Sequence, residues 1–258
     1  MRFVKIEACG NDYIYLDMAR NEDVCLEALS SERIRGLCDR HRGVGADGVV
    51  LLDNISGWRM RMFNADGTRG RTCGNALRSI AKWIDMTYGA AFPLQVETDA
   101  GRVLIEKTID MDKVRYAVHL GVARIIGVAD TAFGVVHLVD VGNKHAVLRG
   151  LPQDVDSAAE AIRAACGAGG LNVECYDLEA PQRLSMRVNE YGTGRTLACG
   201  SGACAVAFAA CAEGGICCGV PVSVEMEGGS VDVTCHKDGK VVLTGDAHIV
   251  YEGEWIDR

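Results

Sequence analysis

The sequence predicts an α+β protein of two pseudo-symmetric lobes, each a mostly antiparallel sheet or barrel wrapped round a central helix. Three observations carry this expectation: an internal duplication, a run of short β-branched segments, and a helical stretch after each of two matching cysteines. The duplication is seen where Met60-Arg61-Met62-Phe63-Asn64 leads to Cys73-Gly74-Asn75-Ala76, and Met186-Arg187-Val188-Asn189-Glu190 leads to Cys199-Gly200-Ser201-Gly202. Asn64 and Glu190 each stand nine residues before their cysteine, and the copies lie 126 residues apart. Two further matches keep the same order. Cys9-Gly10-Asn11 resembles Val141-Gly142-Asn143, and Val96-Glu97 through Val103 resembles Val224-Glu225 through Val231, so the offsets run from 126 to 132. That period is far too long for a solenoid repeat and suits two homologous lobes. They are expected at 1–115 plus 248–258, carrying Cys73, and at 116–247, carrying Cys199.

Taken along the chain, Glu27 to His41 reads as an amphipathic surface helix. Gly48 to Leu52, Val103 to Glu106, Val114 to Leu120 and Phe133 to Val141 read as strands, short, β-branched and bounded by turn residues. Asn75 to Tyr88 is helical, and Asp156 to Gly167 is a second amphipathic surface helix. Gly202 to Glu213 is apolar nearly all round, which predicts a helix buried in a core. Val231 to Thr234 and Lys240 to Leu243 flank Lys237-Asp238-Gly239, a hairpin signal.

The totals exclude several classes. A net charge of −8 argues against a nucleic-acid partner. No apolar run is long enough to span a bilayer, and Met1 to Glu7 is too short and too charged for a secretory signal. The expectation is a cytoplasmic protein with no membrane partner. Twelve cysteines in a chain of 258 residues would suggest a disulfide framework only in a short secreted protein. A reducing compartment fits better. No pair of CxxC motifs appears, so no metal site is expected. Cys25, Cys38, Cys166, Cys175, Cys204, Cys211 and Cys235 read as small buried hydrophobes. Gly43 to Gly48 matches GxGxxG, but a strand follows where a nucleotide site needs a helix.

Cys73 and Cys199 stand apart because each directly precedes a helix. The unpaired N–H groups and partial positive charge of a helix start favour a thiolate and bind carboxylates. Gly74 and Gly200 let backbone approach a ligand closely. One local design, made twice, supplies a base and a carboxylate clamp. Two such thiols imply proton removal from one face of a carbon acid and return to the other, with no metal and no pyridoxal cofactor.

The chain resembles the diaminopimelate epimerase family over nearly its whole length. The resemblance rests on Gly10-Asn11-Asp12, Phe63-Asn64-Ala65-Asp66-Gly67, Cys73-Gly74-Asn75, Gly142-Asn143-Lys144-His145, Asn172-Val173-Glu174 and Ala198-Cys199-Gly200-Ser201-Gly202-Ala203-Cys204. It implies two lobes with the site in the cleft and an amino acid as substrate, most directly diaminopimelate. It implies Cys73 and Cys199 as acid/base thiols, with His145 and Glu190 positioning or polarising them. Asn11, Asn64, Asn143 and Asn172 would bind substrate, and amides near Gly74, Asn75, Gly200 and Ser201 would hold the reacting carboxylate. A homodimer is compatible with it. Competing readings are a related isomerase without paired thiols, a pyridoxal enzyme using Lys144, and an amino-acid-binding module.

The departures from the family pattern concern the far end of the substrate. Glu-Arg-Gly becomes Glu190-Tyr191-Gly192, and that arginine is the group expected to bind the distal carboxylate. Tyrosine offers a hydroxyl and an aromatic face in place of a bidentate guanidinium. Lys144 replaces a usual proline, Arg195 a usual glutamate and Ala76 a usual glycine, while Gly48 stands where some members carry glutamine. Lys144 or Arg195 are the candidates to restore the charge. Without it, histidine is the alternative substrate, with Tyr191 against its imidazole.

Overall fold

A computed structural model describes residues 1–21, 29–110, 112–167 and 169–256 of the chain. The chain divides into two compact units, Met1–Val118 with Asp246–Arg258, and His119–Gly245. The fold is α+β.

The first unit opens with the antiparallel pair β1 (Arg2–Ala8) and β2 (Asn11–Asp17). Helix α1 (Ser31–Cys38) starts where the Ser30 hydroxyl accepts the Arg33 N–H and stops where Asp39 turns extended. It is shorter than the Glu27–His41 pattern, part of which, like Cys25, lies outside the described residues. Strand β3 (Gly48–Asp53) runs parallel to β2, and β4 (Arg59–Asn64) returns antiparallel to β3. The short β5 (Arg69–Gly70) leads into α2 (Gly74–Tyr88), which ends on Gly89 in the left-handed region at φ 58°. Then come β6 (Leu94–Thr98), β7 (Gly101–Asp110) and β8 (Lys113–Val122). Ile34 and Leu37 of α1 bury against Ile14, Leu16, Val49 and Leu51. The other face of the unit is filled by α2, which packs on β1, β2 and β7.

The second unit begins with β9 (Arg124–Thr131), β10 (Gly134–Asp140) and β11 (Lys144–Arg149). Helix α3 (Val155–Cys166) is capped by the Asp154 carboxylate, which accepts the Asp156 and Ser157 N–H groups. Strand β12 (Asn172–Ala180) lies parallel to β11, and β13 (Arg183–Glu190) is antiparallel to β12. The short β14 (Gly194–Thr196) leads into α4 (Gly200–Ala212). Next come β15 (Val222–Met226), β16 (Gly229–Cys235) and β17 (Lys240–Gly245), before β18 (His248–Glu254) returns to the first unit and pairs with β1.

The duplication therefore extends to strand pairing. In each unit a parallel pair (β2 with β3, β11 with β12) is followed by an antiparallel partner, a short strand and a helix. The strand after the helix then pairs parallel to the strand before it, β6 with β4 and β15 with β13. Helix α4 is buried on almost every side and packs on β10 to β13 and on β15 to β17, as its unbroken apolar pattern predicts. No helix among the described residues is long and apolar enough to cross a membrane.

Two cysteines differ from the expectation of buried hydrophobes. Cys166 is only half-buried, because it sits in the last turn of α3. Cys211 is joined to Cys218 by a disulfide: the chain turns back after α4 and places the two side by side. Cys38, Cys175, Cys204 and Cys235 are buried.

Candidate active site

In the first unit, Cys73 is the N-cap of α2, with extended backbone at φ −149° and ψ 124°. Its carbonyl accepts the Leu77 N–H, so the N–H groups of the first turn, from Gly74 and Asn75 onward, have no partner inside the helix. Strand β2 sends Asn11 and Tyr13 to the same face, as its two-residue period requires. The Cys73 thiol lies 3.9 Å from Asn11 Oδ1, and the Tyr13 hydroxyl donates to Cys73 Sγ at 3.7 Å. Asn75 Nδ2 also reaches Asn11 Oδ1, at 3.5 Å. The orientation of Asn11 is fixed from behind, because its Nδ2 donates to Asp47 at 2.7 Å. Burial opposes ionisation of neighbouring Asp12, but hydrogen bonds from Arg40 and Lys5 outweigh it and hold the carboxyl below its ordinary value. Asn64 is exposed at the end of β4 and donates to Thr68 Oγ1 at 2.9 Å. Sequence reasoning passed over Tyr13; the signal available was its two-residue spacing from Asn11 on a strand.

In the second unit, Cys199 is the N-cap of α4, and its sulfur accepts the Gly202 N–H at 3.3 Å. Ser201 Oγ lies 3.5 Å from the same sulfur and accepts from Asn143 Nδ2 at 3.2 Å. His145 is fully buried, with Nδ1 2.8 Å from Glu174 Oε1 and Nε2 3.0 Å from Asn143 Oδ1. Asn143, His145, Ser201 and Cys199 thus form one connected set. Glu174 is a second residue that sequence reasoning did not assign to the site. It belongs to the Asn172-Val173-Glu174 motif, yet nothing in the spacing shows that parallel pairing of β11 with β12 brings it to His145. It is fully buried, and a Cβ on Gly202 would fall 2.7 Å from Glu174 Oε1, so any side chain at 202 would displace the Glu174 side chain that His145 holds.

Glu190 closes β13 and accepts from Thr196 Oγ1 at 2.6 Å. Asn172 Oδ1 accepts the Tyr191 N–H at 3.0 Å, and its Nδ2 reaches the Lys144 carbonyl at 3.5 Å. Tyr191 is 58% exposed. Arg195 forms an exposed ion pair with Glu227.

One expectation is overturned. The helix start was expected to lower the pKa of both thiols, but burial pushes the Cys199 thiol well above its ordinary value, with the Glu190 and Glu174 carboxylates adding to the rise. The Ser201 hydroxyl and Gly202 N–H pull the other way and do not prevail. Desolvation of a charge outweighs a partial dipole when the group is fully enclosed.

A family model described as diaminopimelate epimerase matches residues 3–126 and 136–250. Among the similar relatives, a diaminopimelate epimerase of Bacillus mycoides is 32% identical over 288 residues, covering 97% of this chain and 96% of its own. Another, from Methanococcus maripaludis, is 33% identical over 285 residues, covering 98% and 99%. Two solved structures share the fold. A phenazine biosynthesis protein of the PhzF family from Bacillus anthracis has a TM-score of 0.77 at 13% identity, over 100% of this chain and 99% of that one. A hydroxyproline epimerase from Agrobacterium vitis has a TM-score of 0.69 at 13% identity, over 98% and 91%. With a match running almost from end to end, the chain belongs to the diaminopimelate epimerase family and is an isomerase of the racemase and epimerase kind.

Proposed function

We propose that the protein inverts an amino-acid α-carbon with two thiols, Cys73 and Cys199, and that the substrate is LL- or meso-diaminopimelate. The observation that carries this reading is the repetition of a thiol at the N-cap of a helix, with Asn11 next to Cys73 directly and Asn143 linked to Cys199 through Ser201. One thiolate takes the α-proton. The opposite thiol delivers a proton to the other face, so atoms and charge balance and the two sulfurs exchange protonation states. First-turn N–H groups of α2 and α4 donate to the substrate carboxylate as it gains enediolate character. Asn11, Asn64, Asn143 and Asn172 hold the substrate, and His145 and Glu190 set the state of Cys199.

Lys144 is the group we assign to the distal carboxylate. It is exposed, and its carbonyl is bonded through Asn172 to the backbone of Tyr191, at the family's arginine position. A second reading keeps the chemistry and changes the substrate to another free amino acid such as histidine. It is favoured by the exposed Tyr191 and by the engagement of Arg195 with Glu227.

Proton NMR in deuterated water under reducing conditions separates the two. Loss of the α-proton signal from LL-diaminopimelate, with KM raised about tenfold or more by Lys144→Ala, supports the first. Loss from histidine, with gain of diaminopimelate turnover in Tyr191→Arg, supports the second. Exchange in neither substrate, or full exchange in a Cys73→Ser variant, defeats the two-thiol reading.

A further inference from the structure

Tyr13 is placed with care. Its ring lies over Gly48, its partner in the parallel register of β2 with β3. A Cβ at residue 48 would fall 2.8 Å from Tyr13 Cε1 and 2.3 Å from the Phe63 carbonyl oxygen. The absence of a side chain at 48 therefore makes the room in which the phenol reaches Cys73 Sγ. Tyr15 supports the ring edge-on, with centroids 6.2 Å apart. Tyr13 is buried, and a buried hydroxyl donor needs its acceptor. Here the acceptor is the sulfur, and a hydroxyl stabilises a thiolate more than a thiol because the bond becomes charge-assisted.

The duplicated position in the second unit is filled differently. Asn11 and Tyr13 of β2 correspond in order to Asn143 and His145, and His145 is held by Glu174 rather than reaching a sulfur as a neutral donor. Cys199 lies in the field of two carboxylates, Glu174 on β12 and Glu190 on β13. Beside Cys73 and one another, the ionisable groups acting on Tyr13 and Tyr15 are Asp47 before β3, Asp12 on β2 and Arg78 on α2. Arg40 binds both Asp12 and Asp47, and Lys5 binds Asp12, which offsets those two negative charges.

We propose that Tyr13, donating through its hydroxyl to Cys73 Sγ over the space left by Gly48, is a positioning residue that makes Cys73 rather than Cys199 the thiolate of the free enzyme. The inference rests on the two-thiol reading and adds to it a resting state. In that state Cys73 accepts the α-proton, and Cys199 supplies the proton to the opposite face. The Asn11 carbonyl oxygen, 3.9 Å from the sulfur, then accepts from the newly formed Cys73 thiol.

The test is alkylation by iodoacetamide from pH 5 to 10, with the modified peptides resolved by mass spectrometry. In the unmodified protein Cys73 is expected to react with a lower pH midpoint than Cys199. Tyr13→Phe keeps the ring and removes the donor. It should raise the Cys73 midpoint by about one pH unit, a roughly tenfold loss of thiolate below the midpoint, and leave the Cys199 midpoint in place. Circular dichroism and a thermal melt establish that the variant is folded. Independently of any Tyr13 variant, thiolate absorbance near neutral pH should disappear in Cys73→Ser and persist in Cys199→Ser. A lower midpoint for Cys199, or an unmoved Cys73 midpoint in folded Tyr13→Phe, overturns the proposal. Failure of the two-thiol reading itself shows elsewhere, as inversion of the α-carbon that survives loss of either thiol.

Discussion

The two cysteine-bearing units share strand pairing, helix placement and the N-cap position of the thiol, yet they surround that thiol with opposite chemistry. Cys73 is half-buried and accepts from a neutral phenol. Cys199 is fully enclosed and sits near two carboxylates and a buried His145–Glu174 pair. Duplication supplied the scaffold twice, and the side chains it places near the thiols differ, among them Tyr13 against His145 and Asn64 against Glu190. The lesson is that a helix start fixes where a thiol points, while burial and neighbouring charge fix its protonation.

The largest effect expected is loss of inversion on removal of either thiol. Cys73→Ser and Cys199→Ser should each lower turnover by about 10²- to 10⁴-fold in a steady-state assay, the range of a positioned acid or base. Equal losses would show that the two differently built thiols are equally required, and a large inequality would break the two-base symmetry. Next comes stability. Glu174→Ala leaves His145 buried beside a cavity, and breaking such a pair should cost about 3–5 kcal/mol in a denaturant melt. Tyr13→Phe, its counterpart experiment in the first unit, should cost about 1 kcal/mol, since it deletes one hydrogen bond.

Charge around Cys199 gives the third test. Glu190→Gln removes a carboxylate that raises this thiol and should move its alkylation midpoint down, with the Cys73 midpoint unchanged. The same shift has a stability counterpart. A thiol whose folded pKa is raised holds its proton where the unfolded chain has lost it, so stability falls as pH rises through the ordinary thiol range. Below that range the group contributes no pH dependence. Glu190→Gln should flatten this alkaline decline. The smallest effect compares two threonines. Thr196→Val deletes a part-buried bond to the Glu190 carboxylate, whereas Thr68→Val deletes solvent-exposed bonds to the Asp66 carboxylate and from the Asn64 amide, so the first should cost about 2 kcal/mol and the second about 1.

Much of this was legible in the sequence, for physical reasons that also mark where legibility ends. The strand over Gly48 to Leu52, the helix after each cysteine and the Lys240 hairpin follow from local periodicity and turn chemistry. The connection of Asn143 to Ser201 and of Asn11 to Cys73 was approached through the repeat, because matched motifs share a place on the sheet. The His145–Glu174 pair could not be read, since it depends on a parallel register set by residues far from both. Cys211 misled because an apolar helix pattern says nothing of where the chain goes after the helix ends. The raised Cys199 thiol misled because a dipole is visible in one sequence position and burial is not.

The crowding of Gly202 against Glu174 also shapes how this protein can change. All three atoms nearest a Cβ at 202 belong to the Glu174 side chain, which His145 holds in place. Residues 174 and 202 are therefore not independent letters. A larger residue at 202 is open only to a chain that has already shortened 174, and shortening 174 alone strands the histidine. A mutant library varying one position at a time would score both as intolerant and miss the combinations, including paired changes at 145, that give this half of the site a new acid/base group.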